Sequence, residues 1–433
     1  MNRSIYRTKF FPWIVWGLAA LFYCYGFFQR VAPSVMVPDL MHEFGVSAAV
    51  LGNLSAFYFY AYAGLQLPIG VMFDHLGPRR MLSLAALLCG CGSLLFAWAD
   101  GMTGAYVGRL LIGAGAGFTW IGTLQLAARW LPANRFAMVT GLTLMLGMAG
   151  AIGGQAPLAA IVAHSGWRGA MMWAAGFALL LAILIWMIVR DSPEEDKPSG
   201  PSATDVEQKT TSLLHGLLGT MANRQSWVVA IYGGTLTATM LSFAGLWGVP
   251  YLMQAYGVSR PAAAASTSLL LVGWGIGAPL AGWVSDRLRR RKPLMVLGSL
   301  IALVTFSAII YIPDLTLSSA RGLLFVNGFF SGSMVLSFAA GRENNRPETA
   351  GATLGFVNSF VMAAGAIFQP LIGWLLDLNW DGTLDAGIRS YSVATYRMAF
   401  LSIVISGTVS LLMGMLMRET HCRNVTTAGD RPV

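Results

Sequence analysis

Apolar residues in this chain come in long blocks separated by short charged or breaker-rich stretches. Twelve blocks match the roughly 20 residues needed to cross a bilayer. They run over 11–37, 48–73, 81–99, 102–128, 136–163, 167–189, 226–253, 262–284, 293–312, 316–340, 349–376 and 394–417. The first follows Arg3, Arg7 and Lys9 and continues through Pro33 to Val37. It is too long for a signal peptide and lacks a small-residue cleavage site, so it is expected to stay in the mature protein. The pattern predicts an all-α membrane protein of twelve transmembrane helices.

The blocks repeat. Gly70-Val-Met-Phe-Asp74-His-Leu-Gly77-Pro-Arg79-Arg80 joins the second block to the third. A shift of 212 residues lays it without a gap on Gly282-Trp-Val-Ser-Asp286-Arg287-Leu-Arg289-Arg290-Arg291-Lys292, which joins the eighth to the ninth. An internal repeat of this size implies a doubled architecture: two pseudo-symmetric six-helix bundles, 1–190 and 223–418. The linker 191–222 holds Asp191-Ser-Pro-Glu194-Glu195-Asp196-Lys197-Pro and is expected to be disordered apart from a short helix over Leu213–Met221. The tail 419–433 is short and polar.

Composition agrees with a membrane bundle. Of 433 residues 56% are hydrophobic and 11% charged, and mean hydropathy is +0.62, leaving too little polar surface for a soluble protein of this length. Fifty Gly and 14 Trp fit close helix packing and interfacial belts. The net charge of +9 invites a nucleic-acid reading until the charges are placed. With the N-terminus inside, 21 of the 28 Lys and Arg fall on the inner side and only Arg168, Arg260, Arg321, Arg389 and Arg397 outside. That bias sets orientation, both termini cytoplasmic in the plasma membrane (the inner membrane of a Gram-negative cell), and needs no nucleic acid. Cys24, Cys89, Cys91 and Cys422 make no ligand pattern; Cys89 and Cys91 point to different helix faces. No metal, cofactor or nucleophile–base pair is expected, and hence no enzyme.

Two basic residues remain inside blocks, Arg30 and Arg109. At ~1.5 Å per residue they sit in the outer half of the first bundle. An intramembrane charge is a functional candidate by default. The plainer alternatives are that Arg30 snorkels to the interface and that Arg109 is a structural hydrogen-bond hub beside the glycines of span 4. No Asp or Glu lies well inside a block, so a negative charge brought by the substrate, or backbone carbonyls, must answer the two guanidiniums. Further candidate contacts are Tyr58, Tyr62 and Gln66 on one face of span 2, Gln155, Trp247, Trp274, Asn327, and Asn358 with Gln369 on span 11. Each has the alternative of tying helices together. Jointly they describe a polar cavity at the interface of the repeats. Gly113–Gly117, Gly147–Gly154 and Gly273–Gly277 follow no strand and lack the Lys-Ser/Thr of a phosphate loop, so close packing explains them.

Six plus six spans, a central linker and the duplicated Gly-x-x-x-Asp loop resemble the major facilitator superfamily over nearly the whole chain. Arg109-x-x-x-Gly113-x-Gly115-x-Gly117 is similar to the family's second motif. Gly147-Met-Ala-Gly150-Ala-Ile-Gly153-Gly154 lacks the Pro of the drug-antiporter motif, which counts against efflux. Phe28-Gln29-Arg30-Val-Ala-Pro-Ser with Phe57-Tyr-Phe-Tyr-Ala-Tyr resembles both the organic-anion and sugar-phosphate permeases and the nutrient permeases of intracellular bacteria. The resemblance implies gating by Gly70, Asp74, Gly77, Arg79, Arg80, Gly282, Asp286, Arg287 and Arg291. Asp74 would face the start of span 11 near Thr349, and Asp286 the start of span 5 near Arg135; the alternative is loop anchoring.

The expected function is alternating-access transport of a small polar solute by a monomer, the preferred cargo an organic anion such as a carboxylate or phosphate ester. Protons or a counter-anion are the coupling partners considered; the acid that neighbours the span-1 Arg in some related symporters is here Gln29. Rival readings are a permease for amino acids, peptides or nucleosides, a drug or siderophore exporter, and a non-transporting membrane sensor.

Overall fold

The computed structural model describes residues 10–132, 135–192, 216–385 and 387–428. Helix dominates, beside one two-residue β-pair, Leu384–Asp385 with Ile388–Arg389. In a hydrocarbon solvent only a helix satisfies its own backbone without neighbours, so the apolar blocks have one choice. Among the described residues ten helices are long and apolar enough to cross a membrane, and a further span begins at Ala48 after a 113° bend. The stretch Met138–Ile188 is 51 residues long, roughly 76 Å at 1.5 Å per residue, far beyond one bilayer. It breaks at Gly166, where φ is +70°, and makes two crossings. Twelve crossings result. The face that carries the basic loops is called the basic face below.

The two duplicated loops turn at the same place. Gly77 has φ +75° and, 212 residues on, Arg289 has φ +52°. Glycine takes this left-handed conformation freely, whereas Arg289 holds it against the clash of its own Cβ. The register continues upstream, through Val37-Pro38 on Val249-Pro250 and Gly45-Val-Ser on Gly257-Val-Ser. In both copies the first span loses α geometry just before Val-Pro: a 3-10 turn over Ala32–Val35 and a π-helical turn over Thr239–Trp247.

The chain forms two compact units. The first comprises the described residues within Met1–Arg30, Phe57–Gly154 and Ala160–Thr210; the second those within Val31–Ala56, Gln155–Ala159 and Thr211–Val433. The pieces 31–56 and 155–159 thus belong by contact to the second unit although they belong by sequence to the first repeat. Phe22, Ile69, Phe73, Leu82 and Leu126 centre the first core. Edge-to-face rings hold the second, Phe243 meeting Phe306 at 5.5 Å and Phe400 at 5.4 Å. Large apolar side chains such as Met145, Trp173, Ile183 and Ile405 stay exposed, which in a membrane is burial against lipid.

Close approach sets the first unit. A Cβ built on Gly113 would run into the Tyr58 carbonyl oxygen and Cα, so spans 2 and 4 touch backbone to backbone there. Gly113→Val is expected to lower the melting temperature of the purified protein, by a destabilisation of about 1–3 kcal/mol for overpacking. An unchanged melt would show that the two spans separate without penalty.

Candidate functional site

Span 1 is α-helical over Phe11–Val31, and Arg30 occupies its last turn. The residue is 4% exposed, which removes the snorkelling alternative. Its guanidinium carbon stands 4.2 Å from the centre of the Phe27 ring, 5.4 Å from that of Tyr62 and 5.9 Å from that of Tyr58. Its Nε has no hydrogen-bond partner. Tyr58 is turned by a hydrogen bond from its hydroxyl to the Gly26 carbonyl at 3.1 Å.

Arg109 comes to the same ring from span 4. It is 1% exposed, its guanidinium carbon 5.2 Å from the centre of Tyr58. Its Nη1 donates to the Gln29 carbonyl at 3.0 Å, while Nε and Nη2 have no partner. The choice of acceptor has a chemical reason. The α-helical partner of the Gln29 carbonyl would be the N–H of residue 33, and Pro33 has none. Arg109 therefore serves partly as the hub that sequence allowed, with the rest of its donors uncommitted. The Gln29 amide donates to Tyr25 Oη at 2.6 Å and Ser93 Oγ at 3.0 Å.

Two guanidiniums thus share one tyrosine ring, and among the described residues neither is ion-paired with an acid. Each cation–π contact contributes about 0.5–2 kcal/mol, against an effective burial penalty of several kcal/mol per ion. The aromatic faces do not close that gap. An anion within reach of the free N–H edges would.

The remaining candidates divide. Tyr62 joins Tyr58 in the arginine cluster, their rings 6.0 Å apart. Gln66 and Asn358 are half-buried, each with interactions of its own. Gln155, Trp247 and Gln369 gather instead around the π-helical turn of the second unit. Gln155 donates to the Ala244 carbonyl at 2.6 Å and accepts from Thr267 at 2.9 Å. Gln369 donates to the Leu241 carbonyl at 2.7 Å, and Trp247 to the Gln369 carbonyl at 2.9 Å. Asn327 donates to the Ala302 carbonyl at 2.7 Å and to Thr305 at 3.1 Å. These contacts join helices. Trp274 is 9% exposed with a partnerless indole N–H.

Of the loop residues, Gly70 and Asp74 lie outside the described side chains. Arg79 donates from its backbone to Asp191 at 2.8 Å and from Nε to the Trp186 carbonyl at 2.9 Å, and stacks on the Trp186 ring; Arg80 is exposed. In the second loop Asp286 is bound by Arg291 at 2.6 Å, and Arg291 also pairs with the buried Glu343 at 2.7 Å. Burial works against the Arg291 charge, yet hydrogen bonds to Glu343 and Asp286 more than offset it and hold its pKa above the ordinary value. Arg287 lies over Trp283 at 5.7 Å, and Gly282 has open space around it.

Contacts on the face opposite the basic loops carry roles that sequence reasoning missed. Asp39 grips Arg260 with both oxygens, at 2.5 and 3.1 Å. Asp377 accepts from the Ala48 and Ala49 N–H groups at 3.3 and 2.8 Å and from Tyr391 at 2.5 Å. It caps the N-terminus of span 2 from span 11, where a carboxylate suits both free donors and the helix dipole. The placement of both acids at span ends was the only signal. Among the described residues no group of three or more His, Cys, Asp or Glu is arranged to hold a metal.

Replacing Arg109 by Gln removes a charged hydrogen bond from the Gln29 carbonyl and is expected to destabilise by about 1.5–3 kcal/mol. Adding Pro33→Ala restores a backbone N–H near that carbonyl and should recover part of the loss. Denaturation of single and double variants reads this directly; strict additivity would refute the link.

Known proteins resemble this chain over most of its length. The model of the Major Facilitator Superfamily matches residues 18–370 and 235–429. The probable sulfoacetate transporter of Cupriavidus necator is 25% identical over 386 residues, 84% of this chain and 87% of that one. The membrane sensor protein UhpC of Escherichia coli is 24% identical over 412 residues, covering 87% and 89%. A bacterial homologue of the human lysosomal transporter Spinster, solved in an inward-facing and occupied conformation, superposes with a TM-score of 0.77 at 16% identity, covering 98% of this chain and 100% of that one. With twelve spans, a doubled loop and this match over most of its length, the chain belongs to the Major Facilitator Superfamily of transporters.

Proposed function

We propose that the cargo of this transporter is a small organic anion, a carboxylate, sulfonate or phosphate ester, recognised by the cluster of Arg30, Arg109, Tyr58 and Tyr62. The observation that carries the reading is the pair of guanidiniums on Tyr58, neither of them ion-paired with an acid among the described residues. A relative named for sulfoacetate supports the same class. Gln66, Gln155, Trp247, Trp274, Asn327, Asn358 and Gln369 are the secondary candidates for the cargo's polar parts. The chain acts without enzymatic chemistry, as a monomer, in the plasma membrane, which is the inner membrane if the cell is Gram-negative. The basic face and both termini are cytoplasmic, and the covalent repeats 1–190 and 223–418 are the moving bodies. With no interior acid to carry a proton, coupling runs through a proton bound to the cargo or through exchange for another anion.

Alternating access needs contacts that form on one face and break when it opens. On the basic face the Asp74 and Asp286 loops take this role, with Glu343 as the fixed partner of Arg291. On the opposite face Asp39–Arg260 and the Asp377 cap on Ala48 and Ala49 fasten residues 31–56 to spans 8 and 11. The sensor reading has a relative behind it. Accumulation of a labelled anion in energised vesicles separates the two, since a sensor binds without accumulating.

Carboxylates or sulfonates are expected to raise the melting temperature of the wild type, and Arg30→Gln to abolish the shift while the unliganded protein still melts cooperatively. Stabilisation by neutral compounds, retained in Arg30→Gln, would sink the anion reading. A second expectation concerns closure. In a background without the native cysteines, Ser55→Cys should react several-fold faster with a membrane-impermeant thiol reagent once Asp39→Asn and Asp377→Asn are combined. Equal rates would deny these acids a gating role.

A further inference from the structure

A groove of about 750 Å³ opens at the basic-face ends of spans 9 and 12 in the second unit. Its wall is apolar, formed by Val296, Leu297 and Leu300 of span 9 and Met415 of span 12. Leu297, Leu300 and Met415 are 45%, 42% and 48% exposed, so the wall is open to the lipid around the bundle. Its rim is cationic. Arg290, Lys292 and His421 line the end nearest the membrane surface, and among the described residues neither Arg290 nor Lys292 is ion-paired.

One acid, Glu419, lines the same end, and its charge is already answered. Its carboxylate accepts from the backbone N–H groups of Arg291 at 2.9 Å, Lys292 at 3.0 Å, Thr420 at 3.0 Å and His421 at 3.2 Å. Burial would raise its pKa, but those donors prevail and the value is lowered, so the carboxylate stays charged and bonded. It closes the N-terminus of span 9 and leaves the two basic side chains facing the groove with their charge unanswered.

We propose that this groove is a binding site for an anionic phospholipid of the leaflet at the basic face. The phosphate lies between Arg290 and Lys292, and one acyl chain runs along Leu297, Leu300 and Met415. The argument is complementarity at fixed depth. A phospholipid presents negative charge at the membrane surface and hydrocarbon directly beneath it, and here two free cations lie directly above an open apolar channel. Basic pockets between spans at such a surface suit anionic headgroups. A soluble anion would use the rim and ignore the channel; a neutral lipid would use the channel and ignore the rim.

The test uses the full chain in detergent, melted with added phosphatidylglycerol, phosphatidylcholine or inorganic phosphate, and native mass spectrometry of retained lipid. Phosphatidylglycerol should raise the melting temperature by several degrees and remain bound, and phosphatidylcholine and phosphate should do neither. Combining Arg290→Gln with Lys292→Gln should remove the shift and the bound lipid. Combining Arg342→Gln with Arg346→Gln, which takes the same charge from exposed positions nearby, should remove neither. Leu300→Asn should weaken retention with the rim intact. Equal losses in both double variants would reduce the effect to general surface charge, and an equal response to phosphatidylcholine or to phosphate alone would also overturn the proposal. A bound peptide in place of lipid would do the same.

Discussion

The first unit is arranged around positive charge held where water is scarce. Arg30 and Arg109 sit 4% and 1% exposed, both within 6 Å of the centre of one tyrosine ring. In a medium that solvates ions poorly such charges persist only if something answers them. Four ring contacts and one carbonyl go part of the way. The remainder is what the proposed anionic cargo would supply. The backbone contact at Gly113 brings Tyr58 close enough to span 4 to face both cations.

Carbonyl accounting explains much of what surrounds the site. A span that abandons α geometry inside a membrane must find new donors for the carbonyls it frees. In the first unit Arg109 meets the Gln29 carbonyl, and in the second Gln369 meets that of Leu241. Gln29 and Leu241 are 212 residues apart, the spacing of the repeat. The two repeats break their first span at the same place and repair it with different chemistry, a guanidinium in one and an amide in the other. Gln155 repairs a third such carbonyl, that of Ala244. The asymmetry of charge between the units is therefore built into their common scaffold.

What was legible in the sequence follows from the same physics. Span number was readable because bilayer thickness fixes the length of an apolar block, and the break expected between 163 and 167 falls at Gly166. Arg30 and Arg109 stood out because a charge inside such a block is rare. Their convergence on Tyr58 was not readable, since it depends on how three helices are rotated. That Gln155 and Gln369 meet the Ala244 and Leu241 carbonyls was not readable either, because a side-chain pattern does not show which carbonyls have lost their donors. Glu343 and Asp191 escaped notice for want of a local signal: their partners Arg291 and Arg79 lie 52 and 112 residues away.

The charges at the span ends complete the logic. A transporter must not bind its own halves too tightly, and exposed ion pairs contribute only about 0–1 kcal/mol each, a magnitude suited to contacts that open and close. Asp39–Arg260 and the Asp377 cap come nearer to that character, being partly solvated, their acid side chains 31% and 14% exposed. Arg291–Glu343 does not. It is buried, shared with Asp286 and closed off by a hydrogen bond from Thr420, so breaking it would strand a charge at a penalty of several kcal/mol. The pair anchors the basic loop to its own unit.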